Sequence, residues 1–205
     1  MDTRLHIVPL ALIMVMGPQI LTSIFLVTSG KPVRNSLAML AGVAVSACLS
    51  VAVWYGVLKA VQINPKEGSG PTTADYVVAG LLTVLAVRTF RGRGEAKVPR
   101  WMSALQEAEP KRAFGLVFLL VLLMPTDIVA VITTVNYLHN SHLNALHAWP
   151  LVALTLVFMA LPISAYLLLG HRAREAMPGI REWLTANAWL VNLIVIAYFI
   201  YDTLK

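Results

Sequence analysis

Cysteine is almost missing from the 205 residues: Cys48 stands alone, inside an apolar run. That excludes a disulfide scaffold and any dithiol chemistry within one chain. Charge is scarce too, at 13% of residues, about half of the ~25% usual for a soluble domain. So few charges cannot coat a water-facing surface, whereas a lipid-facing one needs no such coat. The chain also has no Gly-rich phosphate loop, no zinc-ligand spacing and no Ser-His-Asp arrangement, each of which needs specific residues at fixed offsets. A soluble catalytic domain is therefore not expected, and the chain is read as a non-enzyme without a cofactor. What it has in excess is apolar sequence, 58% of residues with a mean hydropathy of +0.73. That excess also rules out a disordered chain or a coiled coil.

A helix crossing ~30 Å of hydrocarbon needs roughly 20 mostly apolar residues. Six segments qualify, near residues 6–28, 36–58, 74–90, 113–137, 148–169 and 184–203. The third is short, and its Arg88 must snorkel to the interface. A five-span chain with that segment re-entrant is the alternative. The first segment follows Arg4 like a signal peptide, but its apolar run is long and no small-x-small site precedes Gly30-Lys31-Pro32. It is read as a retained helix.

The net charge of +6 resembles a nucleic-acid signal only until the basic residues are located. Connector 1–2 holds Lys31 and Arg34, connector 5–6 holds Arg172, Arg174 and Arg181, and connector 3–4 holds Arg88, Arg91, Arg93, Lys97, Arg100, Lys111 and Arg112. The opposite side has only Arg4, Lys59, Lys66 and Lys205. By the positive-inside rule, twelve against four puts both termini outside the cytoplasm of a multi-pass plasma-membrane protein. Within connector 3–4, Trp101 to Leu105 followed by Glu107 is either an amphipathic surface helix or a solvated basic linker.

The first span carries Met16-Gly17-Pro18-Gln19-Ile20 followed by Thr22 and Ser23. The fourth carries Leu123-Met124-Pro125-Thr126-Asp127-Ile128 followed by Thr133 and Thr134. Pro18 and Pro125 are 107 residues apart, and the remaining spans are offset similarly. Three spans per half is odd, so the second half enters the membrane in the opposite sense. The expected fold is thus an all-α membrane protein of six helices in two inverted three-helix repeats, residues 1–90 and 113–205, joined by a cytoplasmic linker, 91–112. Helices broken at matching positions mark the central site in such transporters. Each proline removes a donor and frees carbonyls, which must be satisfied internally in lipid. Substrate or ion binding is accordingly expected at Pro18, Gln19, Thr22, Ser23, Pro125, Thr126, Asp127 and Thr134. Asp127 is the sharpest signal, since a carboxylate at the bilayer centre costs at least ~2.5–3.5 kcal/mol. The alternative for Asp127 is a structural hydrogen bond to Thr126, or to Gln19 across the repeat interface.

Gly17-Pro18, then Lys31-Pro32-Val33-Arg34-Asn35 leading into a small-residue helix with Gly42, resembles the opening of the LysE-type transporter superfamily. The stretch Val98-Pro99-Arg100-Trp101-Met102 through Glu109-Pro110-Lys111-Arg112-Ala113-Phe114-Gly115 to Met124-Pro125 resembles its GAP, or sulfolipid-addressing, branch. The resemblance implies six helices in two inverted repeats and export of a glycolipid or related envelope molecule; with no nucleotide motif in the chain, proton or ion coupling rather than ATP is expected to drive it. Many members have Asn-Pro-Lys where this chain has Met124-Pro125-Thr126-Asp127, so an acid replaces a base at the place that would select substrate or coupling ion. Export of an amino acid or metal cation, as in sister branches, is the alternative within transport. The expected partners are a lipid or amphipathic small molecule and the membrane, with a homodimer admissible and nucleic acid excluded.

Other features have plainer explanations. Ala38, Gly42, Ser46 and Ser50 recur every four residues and suit close helix packing. Asn192 and Ser164 suit interhelical bonds, and Trp149, Trp189, Tyr198 and Tyr201 an interfacial belt. His139, His142 and His147 lack a neighbouring carboxylate or thiol, so a polar loop outweighs a metal site. An intramembrane lipid-modifying enzyme would have to combine Asp127 with one of these histidines. A non-catalytic assembly subunit is the remaining class.

The orientation is tested by cysteine labelling on intact cells, with Cys48 replaced. A cysteine at Ser141 is expected to react with an impermeant reagent and one at Ser103 to be protected; the opposite pattern reverses the topology.

Overall fold

Several of the prolines that punctuate the apolar runs also start helices, while Pro9 and Pro162 lie inside them. The computed structural model describes residues 3–15, 18–61 and 109–187, with isolated helical positions between 80 and 91 and between 190 and 200. Among the described residues every regular element is helical. In chain order these are α1 (Thr3–Val15), α2 (Pro18–Val27), α3 (Pro32–Val61), α4 (Pro110–Leu123), α5 (Pro125–Asn140), a single 3-10 turn (Ala145–Ala148), α6 (Trp149–Leu169) and α7 (His171–Ala186). Pro18, Pro32, Pro110 and Pro125 are each the first residue of their helix. Proline suits that position because first-turn N–H groups have no partner within the helix and its fixed φ is already helical.

The chain divides into two units, Met1–Ile63 with Pro99–Gly179, and Asn64–Val98 with Ile180–Lys205. The third and sixth expected spans both fall in the second unit; apart from the turn at Asn187 their described positions are helical. Trp101 to Leu105, Trp189, Asn192, Tyr198 and Tyr201 lie outside the described residues. The fifth connector differs from expectation. It is the start of a helix, α7, entered through Gly170 at φ +52°, a left-handed conformation that glycine adopts without a Cβ penalty. Ala173 and Met177, one turn apart, are buried while Arg172 and Glu175 are exposed.

In the first unit, α3 and α4 run parallel. Gly42 of α3 lies against the Phe114 carbonyl, and one turn further on the Ser46 hydroxyl donates to the Phe118 carbonyl at 3.0 Å. A Cβ on Gly42 would sit 2.8 Å from the Phe114 oxygen, so the small side chain sets the approach of the two backbones. The broken helix α1–α2 and α6 are also parallel. The Thr155 hydroxyl meets Met14 Sδ at 3.8 Å, and further along Ser23 donates to the Met159 carbonyl at 3.1 Å.

At the end of α5, Leu143 N–H bonds to the Leu138 carbonyl and His142 N–H to that of His139, with His142 at φ +55°. This is a Schellman cap, the helix-ending pair of bonds that needs one left-handed residue. The Tyr55 hydroxyl donates to the Leu143 carbonyl at 3.0 Å, tying the far end of α3 to that cap. His147 Nδ1 is 2.6 Å from Asn144 Oδ1. Among the described residues no cluster of metal-ligating side chains forms.

Polarity is arranged for lipid. Leu37 of α3 and Leu168 of α6 are 58% and 84% exposed, while Gln19, Thr22, Ser23, Ser46 and Asp127 are buried, the reverse of a protein in water. Ser164 is exposed as well, so it bonds no neighbouring helix of the first unit. The segments Pro32–Ala60 and Ala145–Leu169 are each long and apolar enough to cross a membrane. Two pairs, Ile7–Val15 with Gln19–Val27 and Pro110–Leu123 with Pro125–His139, qualify as broken spans bent by 58° and 62°. The described residues thus supply two spans, or four if each bent pair crosses once. The chain is a membrane-embedded helical protein.

Gly42→Ala is expected to lower thermal stability in detergent by ~1–3 kcal/mol, as overpacking does. Gly56→Ala, on open surface of the same helix, should be neutral or slightly stabilising. Equal effects at both positions would contradict the backbone contact.

Candidate functional site

Both helix breaks are local consequences of sequence. Pro18 and Pro125 start α2 and α5, and no main-chain donor exists at either position to continue the preceding helix. Asp127 is the third residue of α5, with its N–H and that of Ile128 both directed to the Met124 carbonyl. A carboxylate in a first helical turn is favoured by the unpaired N–H groups there. Gln19 is the second residue of α2.

The tertiary fold brings these two turns into contact. Gln19 Nε2 donates to Asp127 Oδ2 at 2.7 Å and to Met124 Sδ at 3.1 Å. Gln19 and Asp127 are each 1% exposed. Asp127 is the only ionisable side chain among the buried polar groups described, so its donor is a neutral amide rather than a cation. Three oxygens in these turns, Gln19 Oε1, Thr126 Oγ1 and Asp127 Oδ1, are buried with no hydrogen-bond partner among the described residues. A buried polar atom left unpaired costs ~1–3 kcal/mol, so three together are the most polar strain described in the buried interior.

The other expected site residues distribute around this contact. Ser23, one turn along α2 from Gln19, is buried and engaged with Met159 of α6. Thr22 is fully buried. Thr134 is buried but donates to the Ala130 carbonyl of its own helix at 2.9 Å, a back-bond common for threonine in membrane helices. Pro125 is exposed, and the side chain of Pro18 lies outside the described residues. Gln19 and Asp127 thus meet directly, and the bond offered as the structural alternative for Asp127 is formed, though by one carboxylate oxygen only.

Two features escaped the sequence. Met124 was legible as part of the broken motif but not as a sulfur acceptor for Gln19. A second polar cluster, in which Asn35 Nδ2 donates to Ser29 Oγ at 2.8 Å and Ser29 Oγ to the Leu26 carbonyl at 2.6 Å, closes the α2–α3 turn. Its only sequence trace is the Lys31-Pro32-Val33-Arg34-Asn35 turn.

The model of the family described as Sap, sulfolipid-1-addressing protein (SfLAP), matches residues 7–202. The chain belongs to the SfLAP family. Neither a curated protein nor a solved structure matches it. The SfLAP match runs through both broken helices, so the Gln19–Asp127 contact lies within the family's own sequence span.

Gln19→Leu removes the one donor to a buried carboxylate and is expected to destabilise by ~1–3 kcal/mol or more. Asp127→Leu should cost a similar amount, and the double variant less than the sum, because each single change strands the other partner. Strict additivity in thermal unfolding would show that the pair is not coupled.

Proposed function

We propose that this SfLAP-family chain is a transporter that exports or translocates a sulfolipid-like glycolipid or related amphipathic envelope molecule, coupled to a proton or another ion rather than to ATP. The observation that carries the proposal is the contact of two broken helices at their breaks, where Gln19 and Asp127 share a hydrogen bond and leave three buried oxygens unpaired. The family description, sulfolipid-1-addressing protein, supplies the substrate class.

The architecture we assign is the LysE-type one, six spans in two inverted three-helix repeats. Parallel packing supports it. α3 and α4 are neighbours running in the same direction, so the chain between them must return across the membrane. That favours a full third span over a re-entrant one. Exchanging the halves turns the α3–α4 pair into α6 with α1–α2, which is also parallel. The same exchange turns the contact between the first and fourth spans into itself. Gln19 and Asp127 therefore lie where a pseudo-twofold axis would pass, as expected for a substrate site between inverted repeats. The Tyr55–Leu143 bond agrees with connectors 2–3 and 4–5 sharing one side, the extracytoplasmic one in the twelve-to-four charge tally.

In this mechanism Asp127 is the group that changes charge, Gln19 and Thr126 present oxygens to a headgroup or ion, and Thr22, Ser23 and Thr134 keep the flanking turns polar. Alternating access then follows from rocking one repeat against the other around this point.

Asp127→Asn keeps shape and hydrogen bonding but cannot cycle a proton. Efflux, or envelope lipid at the cell surface, is expected to fall at least tenfold at matched expression and to lose its pH dependence. Wild-type activity with an unchanged pH profile would remove the coupling role.

A further inference from the structure

We infer that the Gln19–Asp127 contact is a closed acid–amide pair holding one proton. The proton sits on Asp127 Oδ1 and is donated to Gln19 Oε1, so that Gln19 is the positioning residue that senses the charge state of Asp127. The inference deepens the transport proposal and rests on it only for the use made of the proton.

A count of donors and acceptors leads there. The amide of Gln19 has two N–H groups, and both are placed, one on Asp127 Oδ2 at 2.7 Å and one on Met124 Sδ at 3.1 Å. Turning the amide over would set its oxygen against two acceptors, so its orientation is fixed. Its carbonyl oxygen accepts only, and so does the second oxygen of an ionised carboxylate. Both atoms are buried without a partner among the described residues. A single proton on the carboxyl satisfies the two at once, as one O–H donated to one carbonyl. A metal cation answers less well. Three unpaired oxygens, Thr126 Oγ1 included, fall short of the six or so that hard cations gather.

Among the described residues the surroundings offer no other charge to balance Asp127. α5 packs against α1, α3, α4 and the 3-10 turn and meets α2 at the Gln19 bond. None of the charged or titratable side chains described on these elements is buried: Arg34 and Lys59 on α3 and Lys111 and Arg112 on α4 are exposed, Cys48 is exposed, and Tyr55 is held by Leu143. His147 is exposed and His139, three turns along α5, is partly exposed.

Loss of the proton leaves Oδ1 and Oε1 both without a donor among the described residues and Nε2→Oδ2 as the only bond of the pair. The tie between the two breaks is then at its weakest, which is how a charge change at Asp127 would reach the helices.

Infrared difference spectroscopy of the full-length protein in lipid nanodiscs, without added substrate, tests the pair. Wild type should show the C=O stretch of a protonated carboxylic acid, shifted by deuteration and absent in Asp127→Asn. In Gln19→Met, which keeps volume but removes the acceptor, the band should move to higher frequency as its hydrogen bond is lost. Wild type with glutamine labelled by carbon-13 at the side-chain carbonyl gives a readout that needs no variant: that carbonyl band should shift in step with titration of the acid band. No acid band at any pH at which the protein stays folded would overturn the inference, as would an acid band indifferent to Gln19. Either result with efflux intact would leave the transport proposal standing, whereas an intact pair with no efflux would remove that proposal alone.

Discussion

One hydrogen bond, from Gln19 to Asp127, joins the two halves of the chain at the two helix breaks seen among the described residues. Everything buried around it is organised by the cost of a carboxyl group in lipid. Such a group needs donors, and here the nearest is an amide from a turn 108 residues away in sequence. The first turn of α5 adds the favourable field of its free N–H groups. Because both turns are created by prolines, neither helix can slide past its break without losing the contact.

Lipid as solvent explains why polarity runs inward. Apolar side chains such as Leu37 and Leu168 face out, while Gln19, Thr22, Ser23, Ser46 and the Asp127 carboxyl face in. Helices then associate through close approach and shared hydrogen bonds rather than through the hydrophobic effect. The α3–α4 contact is of that kind: Gly42 admits the Phe114 carbonyl and Ser46 bonds the next one. That pair is parallel, as is α6 with α1–α2.

The pair at the break is bonded on one edge, through Gln19 Nε2 and Asp127 Oδ2, while Gln19 Oε1 and Asp127 Oδ1 have no partner among the described residues. Met124, beside it, is a soft acceptor that holds the second N–H of the amide. The two broken helices bend by 58° and 62° at these turns.

The sequence by itself determined that the chain is helical and membrane-embedded, because hydrophobic length and charge scarcity act residue by residue. It also determined where the first and fourth spans break, since a missing N–H is a local property of Pro18 and Pro125. The small residues at Gly42 and Ser46 were legible as packing for the same reason. Only the tertiary structure decided what each polar group meets. Sequence spacing carries no information about which side chain across a helix interface is within 3 Å, so Gln19 paired with Asp127 and Met124, Ser23 with Met159, and Thr134 turned back on Ala130 instead of joining the cluster. That the connector holding Arg172, Arg174 and Arg181 is itself helical, with Ala173 and Met177 buried on one face, was likewise decided by the tertiary structure.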